Sequence, residues 1–175
     1  MSPQPMTIRR ANQNDAEALS RIGKSTFTET FAHLYAPADL QAFLDDSHSP
    51  EFYAELLGDE TCAAWLAEDE TGAAVGYCTC GPCGLPAPEM PEKSGELQRL
   101  YVEKTKQGSG LGRAFLDIAI GWLEDHFDHV YLGVYEENHR AQKLYEAYGF
   151  QKIGEYIFMV GAHPDQEWIM KRNAG

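Results

Sequence analysis

The sequence is short of basic residues, long apolar runs and an N-terminal leader pattern. Lysine and arginine number 14 against 27 aspartates and glutamates, so the formal net charge is −13. Such a chain repels nucleic acid, and we expect no nucleic-acid partner. No apolar run approaches the length of a membrane span, and residues 1–6 lack the basic and apolar segments of a signal peptide. We therefore expect no membrane partner and a cytoplasmic location.

Cysteine is also scarce, with four residues in the chain. Cys78, Cys80 and Cys83 lie together in Cys-Thr-Cys-Gly-Pro-Cys, and Cys62 stands apart. A zinc site usually pairs two units of the Cys-x-x-Cys kind, and no second unit follows here. We therefore predict reduced structural thiols, with no metal site and no disulfide.

A glycine-rich run, Gln-Gly-Ser-Gly-Leu-Gly at residues 107–112, lies between a strand pattern at 96–102 and an apolar helix pattern at 111–122. A loop that opens a helix exposes unpaired amide N–H groups beside the positive end of the helix dipole, and such loops bind phosphates. The run is not a Walker A loop, because Gly112-Arg113-Ala114 lacks the lysine and hydroxyl residue, and Arg113 replaces the third glycine of a dinucleotide loop. Close packing of a helix on a sheet is the alternative interpretation.

A second pattern follows the apolar strand at 130–134. Asn138 is a good N-cap for a helix over 139–148, Gly149 supplies a left-handed stop, and Phe150 begins the next strand. The helical spacing places Ala141, Tyr145 and Tyr148 along one side and turns Leu144 and Ala147 toward the core.

Strand and helix patterns alternate along the rest of the chain. Strands are predicted at residues 7–10, 62–68, 74–80, 96–102, 130–134, 151–160 and 166–171. Helices are predicted from Asn14 or Asp15 to Phe31, from Pro37, and over 50–57, 111–122 and 139–148. The Pro/Gly-rich residues 81–95 are predicted as a flexible loop and 161–165 as a connection. Leu111, Phe115, Ile118 and Trp122 are predicted to form the buried face of the helix at 111–122.

The two patterns together resemble the signatures of the GNAT superfamily of acyl-CoA-dependent N-acetyltransferases. The likeness covers Ile8 to Lys171 and is strongest over 96–150, while residues 26–31, 35–40 and 96–102 look most like the PaiA-type spermidine/spermine N-acetyltransferases. Lys104 departs from the proline common in that family. The resemblance implies one domain over residues 1–175, with a core at about 6–172. It also implies an α/β fold with a mixed, mostly antiparallel twisted sheet of about seven strands, flanking helices and a splayed central parallel pair.

Acetyl-CoA is the cosubstrate that this resemblance implies. Its pyrophosphate is expected on the glycine loop and its pantetheine along the preceding strand. The cofactor-binding residues carried over from the family are Leu100, Tyr101, Val102, Gln107, Gly108, Ser109, Gly110, Leu111, Gly112, Arg113, Asn138, Arg140, Ala141, Lys143 and Tyr145. Arg140 and Lys143 are equally explained as a solvated basic patch.

Two residues are the candidates for catalysis. Amine acetylation needs a neutral amine, so a carboxylate must take a proton directly or through water, and Glu96 is our candidate. A backbone N–H near Tyr101 is expected to stabilise the tetrahedral intermediate. Tyr145 matches the family position that protonates the leaving thiolate. The alternatives are a solvent-facing glutamate at a strand end and a tyrosine that only packs in the core.

The resemblance places the acceptor pocket around Phe27, Glu29, Phe31, Tyr35 and Asp165. Aromatic walls with carboxylates suit a polyamine, which makes polyamines the leading acceptors. The net acidity would attract such cations, although acidity also serves solubility alone, and Phe27 and Phe31 could be a core stripe. Peptide, protein, amino-acid and drug amines remain alternative acceptors, and a CoA-binding sensor without turnover is an alternative function. A homodimer is left open.

Overall fold

The computed structural model describes residues 6–87 and 89–173. Seven strands form one sheet in the order β1-β2-β3-β4-β5-β7-β6, in which β4 and β5 are the parallel neighbours and the other pairs are antiparallel. The strands are β1 Thr7–Arg10, β2 Ala63–Glu68, β3 Ala74–Pro82, β4 Ser94–Val102, β5 His129–Tyr135, β6 Phe150–Val160 and β7 His163–Arg172.

Five α-helices are found in the described part of the chain, and short 3₁₀ turns at residues 13–15, 32–34 and 104–106 join the elements. The helices are α1 Ala16–Phe31, α2 Pro37–Ser47, α3 Pro50–Gly58, α4 Leu111–His126 and α5 His139–Ala147. Pro37 and Pro50 each open a helix at a first-turn position, where a missing N–H costs nothing. The fold class expected from the sequence is confirmed.

Several element boundaries differ from the predicted ones. The strand β3 continues to Pro82 and β4 begins at Ser94, because their antiparallel pairing extends to Pro82 opposite Gly95, so the connecting loop is shorter than residues 81–95. The strand β7 begins at His163, which places Asp165 on a strand and not in the connection. The helix α4 continues past Trp122 to His126.

The start of α1 also corrects a prediction. Asp15 occupies the N-cap position, but its side chain makes no cap hydrogen bond to α1. Its carboxylate instead accepts from Arg9 at 2.8 and 2.9 Å and from the Asn12 backbone N–H at 2.8 Å. Asn12 caps the short turn at 13–15, so the helix entry is stabilised one turn earlier than predicted.

The buried face of α4 is wider than predicted. Leu111 and Phe115 are buried as expected, whereas Ile118 and Trp122 are only half-buried. The helix packs on the sheet through residues spaced four apart and through the residues next to them on one side of that row. Besides Leu111 and Phe115, the buried residues of α4 are Leu116, Ala119, Ile120 and Leu123. The main core therefore lies between α4 and the strands β2 to β5.

Two negative observations apply to residues 6–87 and 89–173. No helix there combines the length and the apolarity needed to cross a bilayer. No group of three or more histidine, cysteine or acidic side chains is arranged to hold a metal ion. The four cysteines are free thiols, and burial raises the pKa of Cys78 and Cys80 well above the ordinary value.

The parallel pair at the centre of the sheet separates along its length. Residues 94–97 of β4 pair with residues 129–132 of β5, and the pairing then stops. On the other side of β4, Arg99 pairs with Thr79 and Leu97 with Cys80, so Gln98 is the extra residue of a bulge. The two strands thus diverge just after the bulge and leave a cleft between them.

A substitution at Gly95, where the end of α4 comes close to β4, tests this packing. A Cβ atom added to Gly95 would lie 2.5 Å from Phe127 Cδ2 and 2.9 Å from Leu123 Cδ2. We expect Gly95→Ala to lower the free energy of unfolding by about 1–3 kcal/mol in urea titration, because the core must shift. Gly121→Ala is the matched control, since nothing lies within 4 Å of its added Cβ and alanine favours the exposed helix by about 1 kcal/mol. Equal stability of the two variants would contradict the packing described.

Candidate active site

The cleft between β4 and β5 opens into a cavity of about 1250 Å³. Its walls come from the strands β4, β5, β6 and β7, the glycine loop, α5, and the first three helices. Among the described residues, β4 beyond Leu97 has a sheet neighbour on one side, which is β3. Backbone groups of alternate strand residues point to opposite sides, and the Glu103 N–H donates to the Val75 carbonyl of β3 at 2.9 Å. Leu100 and Val102 therefore present the free backbone edge to the cavity, as a strand-like pantetheine requires, whereas the backbone groups of Tyr101 point toward β3.

The glycine loop has the geometry of an anion site. Gly108 and Gly110 have φ values of +85° and +90°, which a side chain would strain. The first α4 hydrogen bond runs from the Ala114 N–H to the Gly110 carbonyl at 3.0 Å, so the N–H groups of Leu111, Gly112 and Arg113 have no partner within the helix. Most of the predicted loop residues line the cavity, namely Gln107, Gly108, Gly110, Gly112 and Arg113.

Side chains also connect the loop to its surroundings. Gln107 donates through Nε2 to the Val102 carbonyl at 3.3 Å and accepts through Oε1 from Arg140 at 2.9 Å. Ser109 does not line the cavity, and its backbone N–H donates to the Lys106 carbonyl at 3.3 Å. The loop is therefore held between the end of β4 and the start of α5.

Helix α5 is capped as the sequence predicts. The Asn138 side chain accepts from the Ala141 N–H at 3.3 Å, and Gly149 has φ +90° at the stop. Ala147 corrects a prediction, because it is exposed and does not face the core. Gln142 is buried instead and donates to the carbonyls of Tyr135 and Glu136 at 3.1 and 2.7 Å, which joins α5 to the end of β5.

Tyr145 is buried at the cavity wall. Its ring is 8% exposed and lies edge-on to Phe150, with ring centres 6.1 Å apart. Burial raises the pKa of the Tyr145 hydroxyl, so the group is protonated near neutral pH. The residue thus packs in the core and also lines the cavity, which combines the two sequence-based interpretations.

Glu96 is half-buried at the other end of β4. Its carboxylate accepts from the Gly84 backbone N–H at 3.0 Å. Burial raises the pKa of Glu96 to about 7, against the smaller lowering effects of that hydrogen bond and of the Arg99 charge. A carboxyl group with this pKa exchanges protons near neutral pH.

The five residues predicted for the acceptor pocket all line the cavity. Phe27 and Phe31 are buried with ring centres 5.0 Å apart, so they are core residues as well as pocket residues. The Tyr35 hydroxyl donates to Asp165 Oδ2, which joins the α1–α2 connection to β7. Glu29 Oε1 is buried and finds no hydrogen-bond partner among the described residues.

Arg99 was not predicted from the sequence. Its guanidinium donates to the Ser47 carbonyl at 2.7 Å and the Tyr53 hydroxyl at 2.8 Å, and it stacks 4.5 Å from the Phe52 ring centre. Burial lowers the pKa of the adjacent His48 to about 2, so that ring is neutral. This arginine fixes α2 and α3 against β4, and no sequence signal identifies it, because its partners lie far away along the chain.

Glu167 was also missed. It lines the cavity from β7 and accepts from the Tyr156 hydroxyl at 3.1 Å. Burial raises the pKa of Glu167 to about 7, against the lowering effect of that hydrogen bond. Strand periodicity could have found this residue, because positions 165 and 167 of one strand face the same side.

The seven-stranded sheet, its separated parallel pair and the cavity between those two strands define the fold class of the acyl-CoA-dependent acetyltransferases. The chain belongs to the acetyltransferase (GNAT) family, whose family model matches residues 26–150. It is an acetyl-CoA-dependent N-acetyltransferase, with acetyl-CoA as its cosubstrate and an amine as acceptor.

Individual relatives agree with this assignment. An uncharacterized N-acetyltransferase of Mycobacterium tuberculosis is 29% identical over 159 residues, 90% of this chain and 97% of the relative. A spermine/spermidine N(1)-acetyltransferase of Bacillus subtilis is 33% identical over 91 residues, 50% of this chain and 59% of the relative. The structure of a PaiA N-acetyltransferase from Thermoplasma acidophilum in complex with coenzyme A superposes with a TM-score of 0.76 at 16% identity, covering 97% of this chain and 99% of that one.

The left-handed glycines allow a test of the loop. Gly110→Ala forces a side chain into φ +90°, at a cost of about 1–2 kcal/mol, and we expect the loop to change shape and the Kd of CoA to rise about tenfold in calorimetry. Gly72→Ala carries the same strain, with φ +84° and open space around its Cβ, in the turn between β2 and β3. It should lose similar stability and keep its CoA affinity. Equal CoA affinity of Gly110→Ala and the unmodified protein would remove the loop from the binding site.

Proposed function

We propose that the enzyme acetylates a primary amine of a small polycation, with spermidine- or spermine-like polyamines as the leading acceptors, by direct attack on acetyl-CoA in a ternary complex. The observation that carries this proposal is the distribution of charge along the cavity. The end next to the glycine loop is basic and the acceptor end is acidic. The basic residues are Lys104, Lys106, Arg113, Arg140 and Lys143, and the acidic residues are Glu29, Glu55, Asp59, Glu96, Asp165 and Glu167.

This separation suits two substrates of opposite charge. The basic end complements the phosphates of acetyl-CoA, and the acidic end complements ammonium groups. Arg99 is a basic residue on the acceptor side, but its single positive charge is outnumbered by the carboxyl groups that line this part of the cavity. The net negative potential of the acceptor end therefore remains available to a cation.

The aromatic walls support the same acceptor class. Phe27 and Tyr35 lie stacked with ring centres 6.0 Å apart, and Tyr135 lies edge-on to Phe31 at 6.0 Å. Methylene segments pack on such rings, and ammonium groups gain cation–π attraction from their faces. The Bacillus spermine/spermidine acetyltransferase and the PaiA structure also support a polyamine, although the Bacillus match spans half of this chain.

The proposed chemistry uses the two predicted residues. Glu96 takes a proton from the acceptor ammonium, directly or through water, and does so in its ionised form, which predominates above about pH 7. A backbone N–H near Tyr101, on the free edge of β4, stabilises the oxyanion. The Tyr145 hydroxyl, kept protonated by burial, gives its proton to the leaving thiolate. The cofactor contacts of the loop and α5, a homodimer and a cytoplasmic location remain predictions.

An acceptor series tests the polyamine assignment. We expect kcat/KM for spermidine and spermine to exceed that for butylamine, which has one charge and a similar apolar chain, by about tenfold, since an additional charge-assisted contact contributes about 1.4 kcal/mol. The advantage should shrink as salt is added. Release of the CoA thiol measures the rate. Preference for peptide, amino-acid or aromatic amines would contradict the assignment, and acetyl-CoA binding without thiol release for any amine would favour a sensor.

Tyr145→Phe tests the proposed acid. It should lower kcat about 100-fold while the Kd of acetyl-CoA stays within about twofold, because only the hydroxyl is lost. Tyr148→Phe is the matched control at the C-cap of the same helix; Tyr148 does not line the cavity, and its hydroxyl donates to the Asp117 carboxylate at 3.0 Å and to the Arg113 backbone carbonyl at 3.3 Å. That variant should keep its turnover. An unchanged kcat in Tyr145→Phe would remove this residue from the mechanism.

A further inference from the structure

A second carboxyl group lies beside the cleft, on a strand that the proposed chemistry does not use. Glu167 of β7 pairs across the sheet with Tyr135 of β5 on one side and Tyr156 of β6 on the other. Cross-strand partners share a sheet face, so the three side chains lie on the face that lines the cavity. The Tyr156 hydroxyl donates to Glu167 Oε1 at 3.1 Å.

A glycine makes this arrangement possible. A Cβ atom added to Gly133 of β5 would lie 2.6 Å from the Tyr156 hydroxyl oxygen. The missing side chain lets Tyr156 reach from the edge strand across β7 to the surface of β5, where Gly133 itself lines the cavity. The absence of a side chain at Gly133 thus leaves the space in which Tyr156 reaches the cleft and contacts Glu167.

Glu167 has no cationic partner in the described part of the protein. No lysine, arginine or histidine nitrogen lies within 4.0 Å of its carboxylate, and the Tyr156 hydroxyl is its one hydrogen-bond donor there. A carboxylate removed from water is costly unless a positive charge or several donors compensate it. A cation that enters the cavity would supply the missing charge.

Glu167 lines the same cavity as Glu96, Tyr101 and Tyr145. Its negative charge is among the causes that raise the pKa of Tyr101 on β4 and Tyr145 on α5, the two residues assigned to the oxyanion and the thiolate. It similarly affects Tyr35 at the α1–α2 connection. The remaining titratable neighbours are Tyr135, Tyr156, Glu96, Asp165 and His163, whose Nδ1 lies 2.9 Å from Asp165.

We propose that Glu167 binds the reacting ammonium group of the acceptor and orients it toward the thioester, so that Glu96 can take its proton. This assignment rests on the proposed function, since it concerns the acceptor end of the same cavity. The ammonium gives one proton to Glu96, and the freed electron pair forms the N–C bond while the carbonyl electron pair moves onto oxygen. The C–S bond breaks when the carbonyl forms again. The thiolate takes the Tyr145 proton, Tyr145 regains one from the amide nitrogen, and Glu96 releases its proton to water.

The pH dependence of amine binding follows from this role. Without amine, Glu167 ionises at about pH 7, so below that pH the ammonium must displace a proton from it. The KM of the amine should therefore rise as the pH falls below about 7, separately from the effect of Glu96 on kcat.

Glu167→Gln separates binding from proton transfer. The variant keeps the size of the side chain and an acceptor for Tyr156, so we expect the spermidine KM to rise about tenfold at pH 8 and to lose its pH dependence. The KM of acetyl-CoA should stay unchanged, and so should the decrease of kcat at low pH. Glu96→Gln should instead lower kcat and abolish its decrease at low pH. Glu155→Gln is the charge-matched control, because Glu155 is exposed on β6 and pairs with Lys152, and it should change none of these values.

Two results in Glu167→Gln would overturn the assignment. An unchanged spermidine KM would exclude ammonium binding by Glu167. If the fall of kcat at low pH disappeared in Glu167→Gln but persisted in Glu96→Gln, Glu167 would be the base. If Glu167→Gln fails to fold, Tyr156→Phe replaces it: loss of the hydrogen bond that lowers the Glu167 pKa should move the rise in amine KM to higher pH, and no movement contradicts the proposal. If polyamines are not preferred, the KM of butylamine in Glu167→Gln and in the unmodified protein gives the same comparison. Failure of the polyamine assignment is therefore distinguishable from failure of the role proposed for Glu167.

Discussion

The separation of β4 from β5 is the constraint on which the whole site depends. The strands pair over residues 94–97 and 129–132 and then part at the Gln98 bulge. Unpaired backbone is costly inside a protein, so the free edge of β4 must receive hydrogen bonds from a partner or from water. The same separation opens the cavity. One interruption of the sheet thus creates the strand-like docking edge and the space in which a second substrate meets it.

Burial then determines the acid–base properties of the groups in this space. It raises the pKa of Glu96 and Glu167 into the neutral range and keeps the tyrosine hydroxyls protonated. Proton acceptors and donors therefore coexist at one pH. The two carboxyl groups differ in their connections, since Glu96 is held by a loop amide and Glu167 by a tyrosine of the edge strand.

Sequence reasoning succeeded where the determinants are local. The glycine loop, the Asn138 cap and the Gly149 stop involve neighbouring residues, and their positions agree with the structure. Sequence reasoning failed where long-range contacts determine which residues form the site. The pairing of β7 with β5 and β6 brings Glu167 to the cavity, and contacts with α2 and α3 hold Arg99 there. The extension of β3 and β4 into the predicted loop has the same long-range cause. Helical spacing correctly predicted that Leu111 and Phe115 of α4 are buried, but not that Ile118 and Trp122 are only half-buried. The sheet beneath the helix determines which of its residues are covered.

The position of Tyr156 has a mechanical consequence. Its strand, β6, is the outermost of the sheet and pairs with one neighbour, β7, while Ile153, Ile157 and Met159 on it are exposed to the surroundings. Edge strands are ready surfaces for contact with other molecules. A displacement of this edge strand would carry the Tyr156 phenol with it, and the hydrogen bond to Glu167 would change as well, so one side chain links the rim of the sheet to the wall of the cavity.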